Sequence, residues 1–217
     1  MQNIFKSIYR NFARKPATNL INLGGLAISL ALVIILSVYS YSELTTDSFH
    51  KNNNRLYVYS DLSPEHKNLH TPAVLKDQID LNVPDIESSV RVAGTWEEPV
   101  FQVENHDPIT SDIITADPDF FKLFTYEAVE GNLSTSLNDP MTIALTEPLA
   151  KKLFGNEPAL GKTLKINNKQ TLTVSAVFKM PKTNSSLSFS SITSNATRKI
   201  VYPNGDEFTE WGWWNFN

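Results

Sequence analysis

The chain has 217 residues, 41% of them hydrophobic, 11% aromatic and 19% charged, and its net charge is −4. That composition is too apolar for a disordered chain, and it gives no overall basic surface for nucleic acid. The absence of cysteine excludes a disulfide framework, a thiolate metal site and a Cys nucleophile.

The charge is unevenly placed. Four basic residues, Lys6, Arg10, Arg14 and Lys15, precede the first acidic one, Glu43. The first 42 residues carry +4 and the rest carry −8. Ile4, Phe5, Ile8, Tyr9 and Phe12 recur at helical spacing, with Lys6, Arg10 and Arg14 on the other side. This pattern suits a short amphipathic helix on an anionic inner leaflet; a basic flank without ordered helix is the plainer alternative. Pro16 then permits a bend.

Residues 20–41, LINLGGLAISLALVIILSVYSY, carry no charge. At 1.5 Å per residue they would span roughly 33 Å, enough for a hydrocarbon core of about 30 Å. A soluble core helix rarely runs so far without a charge. A cleavable signal has a shorter apolar run and a small-residue cleavage site, whereas Tyr39 and Tyr41 close this one. The run predicts an uncleaved transmembrane helix. The basic N-terminal flank places residue 1 in the cytoplasm by the positive-inside rule. Gly24, Gly25, Ala27 and Ser29 form a small-residue patch suited to close helix packing in lipid.

Beyond Glu43 the pattern predicts one mixed α/β domain. Residues 55–60 (RLYVYS) alternate as a strand. Residues 71–80 read as a helix with Thr71 as N-cap and Pro72 at its first position, and Pro84 ends that region. Strands are expected at 88–93, 100–103 and 109–115, with a turn holding Asn105, Asp107 and Pro108. Asp117 is expected to cap a short helix begun by Pro118. A strand at 141–145 leads to Thr146, the N-cap of a helix (EPLAKKLF) closed by Gly155. Residues 163–166, the turn Asn167-Asn168 and residues 169–179 predict a β-hairpin, with Leu172, Val174, Ala176 and Phe178 on one face. Residues 181–191 read as a polar loop.

The search for chemistry is mostly negative. GNEPALGKT, residues 155–163, has five residues between its first Gly and Gly-Lys-Thr, where a P-loop has four. It also ends a helix instead of opening one. His66 and His70 have H-x-x-x-H spacing but no strong third ligand nearby, and a solvated pair is the expected state. Glu97 with Glu98, and Asp117 with Asp119, read as surface charge before they read as acid/base pairs. There is no G-x-S-x-G elbow. Trp211, Trp213 and Trp214 read as an aromatic strand packed on a core before a stacking platform.

Five segments together carry a resemblance. FARKPATNLINLGGLAISLAL, ELTTDSFHKNNNRLYVY, DPDFFKLFTYEAVEGN, IALTEPLAKKLFGNEPALGKTLKINN and LTVSAVFKMPKTNSSLSF follow one another in order. The chain resembles the N-terminal part of a bacterial ABC-transporter permease of the FtsX/MacB type, with its MacB-like periplasmic core domain. One departure is Ser175-Ala176, where that family often has a Gly.

The resemblance implies an α+β fold, a mixed α/β extracytoplasmic domain preceded by one transmembrane helix. The expected organisation is a cytoplasmic basic segment at 1–16, the spanning helix at 17–43 and the periplasmic core domain at 44–217. The chain would be a non-catalytic subunit without cofactor, in the inner membrane. Its partners would be a cytoplasmic ABC ATPase that uses ATP, a second permease copy, membrane lipid and a periplasmic or outer-membrane protein. The cargo class would be lipoprotein, peptide, antibiotic or toxin, moved by mechanotransmission, with further spanning helices in a longer native chain. The alternatives are a single-pass envelope sensor or binding module and, third, a membrane-anchored hydrolase.

Overall fold

The computed structural model describes residues 16–59, 71–94, 98–104 and 106–201. The chain divides into two compact units, 1–46 and 47–217.

The first unit is α1, Pro16–Thr45, thirty residues long. It is long and apolar enough to cross a membrane, and all of its large apolar side chains are exposed. Its polar residues turn inward: Ser29 Oγ donates to the Gly25 carbonyl at 2.8 Å and Ser37 Oγ to that of Val33 at 2.7 Å. Each hydroxyl is thereby satisfied within the helix, as lipid requires.

The second unit is built on one mixed sheet. Its strands are β1 (Val92–Gly94), β2 (Val100–Gln102), β3 (Ile109–Thr110), β4 (Ile113–Ala116), β5 (Glu127–Gly131), β6 (Thr142–Thr146), β7 (Thr163–Ile166), β8 (Gln170–Lys179) and β9 (Ser191–Ser194). The order across the sheet is β1-β4-β9-β6-β8-β7-β2-β3, with β5 also on β8. β4 with β9 and β6 with β8 are parallel; the other pairs are antiparallel. Four helices accompany it: α2 (Leu75–Asn82), α3 (Phe120–Leu123), α4 (Glu147–Phe154) and α5 (Asn195–Val201).

β3 ends one side of this order and β4 lies near the other, yet only Ser111 and Asp112 separate them. Three Cα–Cα steps reach about 11 Å at most. The sheet must therefore curl until its ends approach. Phe101 from β2 and Ile113 from β4 accordingly share one core with Ile143, Leu145 and the α4 residues Leu149 and Leu153. A second core on the opposite face holds Ala144, Phe178, Phe189, Ile192 and Phe120 of α3. Alternation along β6 assigns Ile143 and Leu145 to the first core and Ala144 to the second.

Alternation fails along β8. Its pairing with β6 jumps from Ile143↔Val174 to Ala144↔Ala176, leaving Ser175 as the extra residue of a bulge. Leu172, Val174 and Val177 face the first core, while Ala176 and Phe178 face the second. The expectation of one shared face is thus corrected: the bulge at Ser175 reverses the strand. A bulge needs room beside it, and Gly131 supplies it. A Cβ on Gly131 would lie 2.6 Å from the Ser175 carbonyl oxygen, and its φ is +76°.

Other expectations shift in position. Residues 56–59 form no strand: a 3-10 turn, Asn53–Arg55, precedes them, and Tyr57 is 88% exposed. Alternating side chains do not make a strand without a neighbour to bond. The 71–80 helix begins at Leu75, because residues 72–75 close a turn (Leu75 N–H to the Pro72 carbonyl, 3.0 Å) that buries Ala73. The strand expected at 88–93 is shortened to β1, and that expected at 109–115 breaks at Ser111 into β3 and β4. Asp117 does not cap α3, whose N-cap position is Asp119. The hairpin β7–β8 forms around Asn167 and Asn168, both at positive φ, and Gly155 closes α4 at φ +69°. β9 and α5 were not foreseen. Ser194 Oγ accepts from Thr197 N–H at 3.1 Å, an N-cap bond in a stretch to which the sequence reading assigned no element.

Candidate functional site

Two carboxylates gather hydrogen-bond donors from distant parts of the domain. Asp117 is buried. Its Oδ2 accepts from Arg91 N and Arg91 Nε, both at 2.9 Å. Its Oδ1 accepts from Arg91 Nη2 at 3.2 Å and from Asn195 Nδ2 at 2.9 Å. Arg91 Nη1 donates onward to the Ala73 carbonyl at 3.2 Å. One ion pair thus binds the chain before β1, the end of β4, the start of α5 and the turn before α2. The expectation that Asp117 is surface charge is corrected: it is 7% exposed. The partners lie 26 and 78 residues away, so no local signal marked them.

The second carboxylate is Asp47, two residues beyond the end of α1. It adopts φ +59°, a left-handed conformation that short polar side chains tolerate. Its N–H donates to the Asn184 carbonyl at 3.0 Å. Its carboxylate accepts from Ser185 Oγ and Ser186 N–H, both at 3.0 Å, and from Ser186 Oγ. Three residues later His50 is 3% exposed. Its Nδ1 accepts from Thr125 N–H at 3.0 Å, and Lys51 N–H donates to Thr125 Oγ1 at 3.1 Å. The His50 ring lies 4.0 Å from that of Phe49, 5.2 Å from that of Phe124 and 6.0 Å from that of Tyr126.

Residues 47–51 are therefore clamped between the loops at 124–126 and 184–187. The Asp-x-Phe-His segment supplies every side chain of the clamp on one side. Sequence reading singled out the segment but not Thr125, Asn184, Ser185 or Ser186.

Burial lowers His50 below the ordinary imidazole value, against the attraction of Asp47. Burial also raises Tyr126 well above the usual phenol value, with Asp47 adding to the effect, so its hydroxyl stays protonated.

Ser186 and Leu187 of the clamped loop also form the lip of an open cleft of about 370 Å³. Its walls are Val92 and Gly94 of β1, Ile113 and Ile114 of β4, and the carboxylates Glu98 and Asp112. The cleft is the seam where the curled sheet does not close.

A third carboxylate disposes of the P-loop resemblance. Glu130 Oε2 accepts from Ala159 N–H at 2.9 Å and Leu160 N–H at 2.8 Å. The backbone donors that a phosphate would need are occupied by the chain itself.

Of the other residues singled out, Gly24, Gly25, Ala27 and Ser29 lie on α1. Gly25 and Ser29 share a side one turn apart, while Ala27 points about 160° away from Ser29 at 100° per residue. A Cβ at Gly24 or Gly25 would meet nothing within 4 Å. Lys6, Arg10, Arg14 and Lys15, the amphipathic segment, His66 and His70, Glu97 and the Trp211, Trp213 and Trp214 cluster lie outside the described residues. Among the described residues no group of three or more His, Asp or Glu side chains could hold a metal.

A helix long and apolar enough to cross a membrane, followed in the chain by a curled α+β domain, defines the class. A model of the MacB-like periplasmic core domain family matches residues 20–212, and the chain belongs to that family. The resemblance read from the sequence is thus borne out at the level of the domain. A solved domain of a protein described as a permease, from Porphyromonas gingivalis, is 21% identical, with 68% of this chain and 63% of that one covered and a TM-score of 0.55. The chain thus spans less than two thirds of that domain, and the two share a fold. The periplasmic region of MacB from Actinobacillus actinomycetemcomitans is 19% identical over 69% of this chain and 67% of that one, at a TM-score of 0.49. The extracellular domain of the noncanonic ABC-type transporter YknZ from Gram-positive bacteria is 17% identical over 61% and 69%, at 0.46. No curated protein sequence matches the chain.

Proposed function

We propose that the chain is part of the permease subunit of an ABC transporter. In this reading α1 crosses the inner membrane with residue 1 in the cytoplasm, and residues from Asp47 onward lie outside. The basic flank of Lys6, Arg10, Arg14 and Lys15 supports that orientation. A cytoplasmic ATPase on another chain or domain hydrolyses ATP, and a second permease copy completes the assembly. This chain holds no cofactor of its own and carries out no bond chemistry. Its outer domain handles a lipoprotein, peptide, antibiotic or toxin by movement.

The observation that carries this reading is the match to the MacB-like periplasmic core domain family over residues 20–212, which takes in most of the apolar helix as well as the sheet domain. Asp47 fixes the first residue of the domain to the loop at 184–187, whose Ser186 and Leu187 edge the cleft.

The test is a pull-down from native membranes with a tag at residue 1 of the endogenous gene, read by mass spectrometry. A co-purifying P-loop ATPase is the expected result. A tagged chain without any ATPase overturns the proposal and leaves a single-pass sensor as the better reading.

A further inference from the structure

The clamp contains a group that can switch it. A ring nitrogen that accepts an N–H has no proton of its own. His50 Nδ1 accepts from Thr125 N–H, so the imidazole is neutral and its proton sits on Nε2. Nε2 faces Asp47 Oδ1 at 3.9 Å. Protonation would have to occur at Nδ1, the atom already in use. An N–H would then oppose the Thr125 N–H, and the bond would become a repulsion.

The surroundings decide whether that state is tolerated. Asp47, on the same segment, is the anionic group facing the ring. From the 124–126 loop the titratable group is the Tyr126 phenol, which is neutral. The loop at 184–187 brings Asn184, Ser185, Ser186 and Leu187, none of which titrates. Phe49 and Phe124 supply apolar ring surface. Asp47 is itself committed to three donors from Ser185 and Ser186. One engaged carboxylate therefore stands against burial and the loss of the Thr125 bond.

We propose that residues 47–51 form a proton-released latch: neutral His50 holds the loop at 124–126, and protonated His50 lets it go. Mild acid in the compartment bathing the domain would free Thr125 while the Arg91–Asp117 pair keeps the sheet intact. The lowered His50 value gives the sign. The latch is held in full above the ordinary imidazole value of 6.5 and weakens as pH falls from there toward the lowered value. Between pH 7.5 and 5.5 the closed-to-open ratio falls by at most about tenfold, the limit for a single proton released at 6.5 over that interval. The latch stands apart from the transporter reading, since it needs only the domain and its entry segment.

The test uses the full chain in lipid nanodiscs. Amide hydrogen exchange is followed at pH 7.5 and 5.5, corrected for intrinsic rates. Protection of the Thr125 amide should drop in acid by up to about tenfold, while amides of β6 and β8 keep theirs. In His50→Asn the side-chain oxygen takes the place of Nδ1 and cannot titrate, so Thr125 protection should be the same at both pH values. A flat response in the unaltered chain overturns the latch, as does an acid response that persists in His50→Asn. If His50→Asn loses protection throughout the sheet, Asp47→Asn decides. Removing the Asp47 charge, which favours imidazolium in the closed form, should leave the onset of release at the ordinary imidazole value and enlarge the total loss of Thr125 protection in acid, and a smaller loss overturns the proposal.

Discussion

Asp117 and Asp47 both gather donors from distant loops, but they differ in the charge opposite. Asp117 meets Arg91, a guanidinium that stays charged at every accessible pH, in a buried site. Asp47 meets hydroxyls, amides and an imidazole whose charge depends on pH. The first arrangement makes a firm joint, because the buried Asp117 carboxylate takes a full countercharge and three hydrogen bonds from Arg91. The second holds by several modest bonds, any of which can be given up. The domain thus combines a frame that does not yield with an attachment that can.

The comparison is broken most directly at Asp117. Asp117→Ala should cost about 3 kcal/mol, because it removes the carboxylate that accepts three hydrogen bonds from Arg91 and one from Asn195, while Asp77 at 3.8 Å stays beside the guanidinium. Thermal unfolding of the full chain in detergent should shift down on the order of 10 °C. A shift of only a degree or two would show that the ion pair is not the frame.

Gly131→Ala is next. The added methyl would meet the Ser175 carbonyl oxygen at 2.6 Å in a left-handed backbone. A loss of about 2–3 kcal/mol is expected in the same melting experiment. A neutral result would mean that the β8 bulge moves freely, and that the reversal of its faces is not fixed by this contact.

Asp47→Ala sharpens the contrast. It removes the carboxylate from Ser185 and Ser186 but leaves the cores intact, so the global loss should stay near 1 kcal/mol. Hydrogen exchange should instead rise locally at 184–187. A global loss as large as that of Asp117→Ala would erase the distinction between joint and attachment.

Glu130→Gln should have the smallest effect, roughly 0.5–1 kcal/mol. The amide oxygen can still accept from Ala159 and Leu160 N–H, losing only the charge assistance. Melting of this variant beside Glu130→Ala separates charge from hydrogen bonding.

Sequence motifs and structure agree most closely where the motif is local. The α4 helix follows from its apolar spacing, Pro148 in the first turn and Gly155 at its end. The β7–β8 hairpin follows from Asn167-Asn168, a pair that accepts positive φ. Agreement fails where a residue's role depends on a distant neighbour. Asp117 before Pro118 fits a capping pattern, yet Arg91 outbids the helix N-terminus with three hydrogen bonds and a full charge. Residues 55–60 alternate, but the sheet offers 56–59 no edge. Leu172, Val174, Ala176 and Phe178 alternate too, and one bulge at Ser175 divides them between two cores.

The long apolar helix, the family and most elements of the sheet domain were legible in the order of the amino acids. Those are consequences of composition and short-range spacing, which chain chemistry sets within a few residues. Only the tertiary structure decided that the sheet curls onto its own ends, that Gly131 makes room for the Ser175 bulge, and that Asp47 and His50 close on loops 75 to 139 residues away. These depend on which strands find each other. No local pattern encodes that choice, because the energy that makes it comes from burying two cores at once.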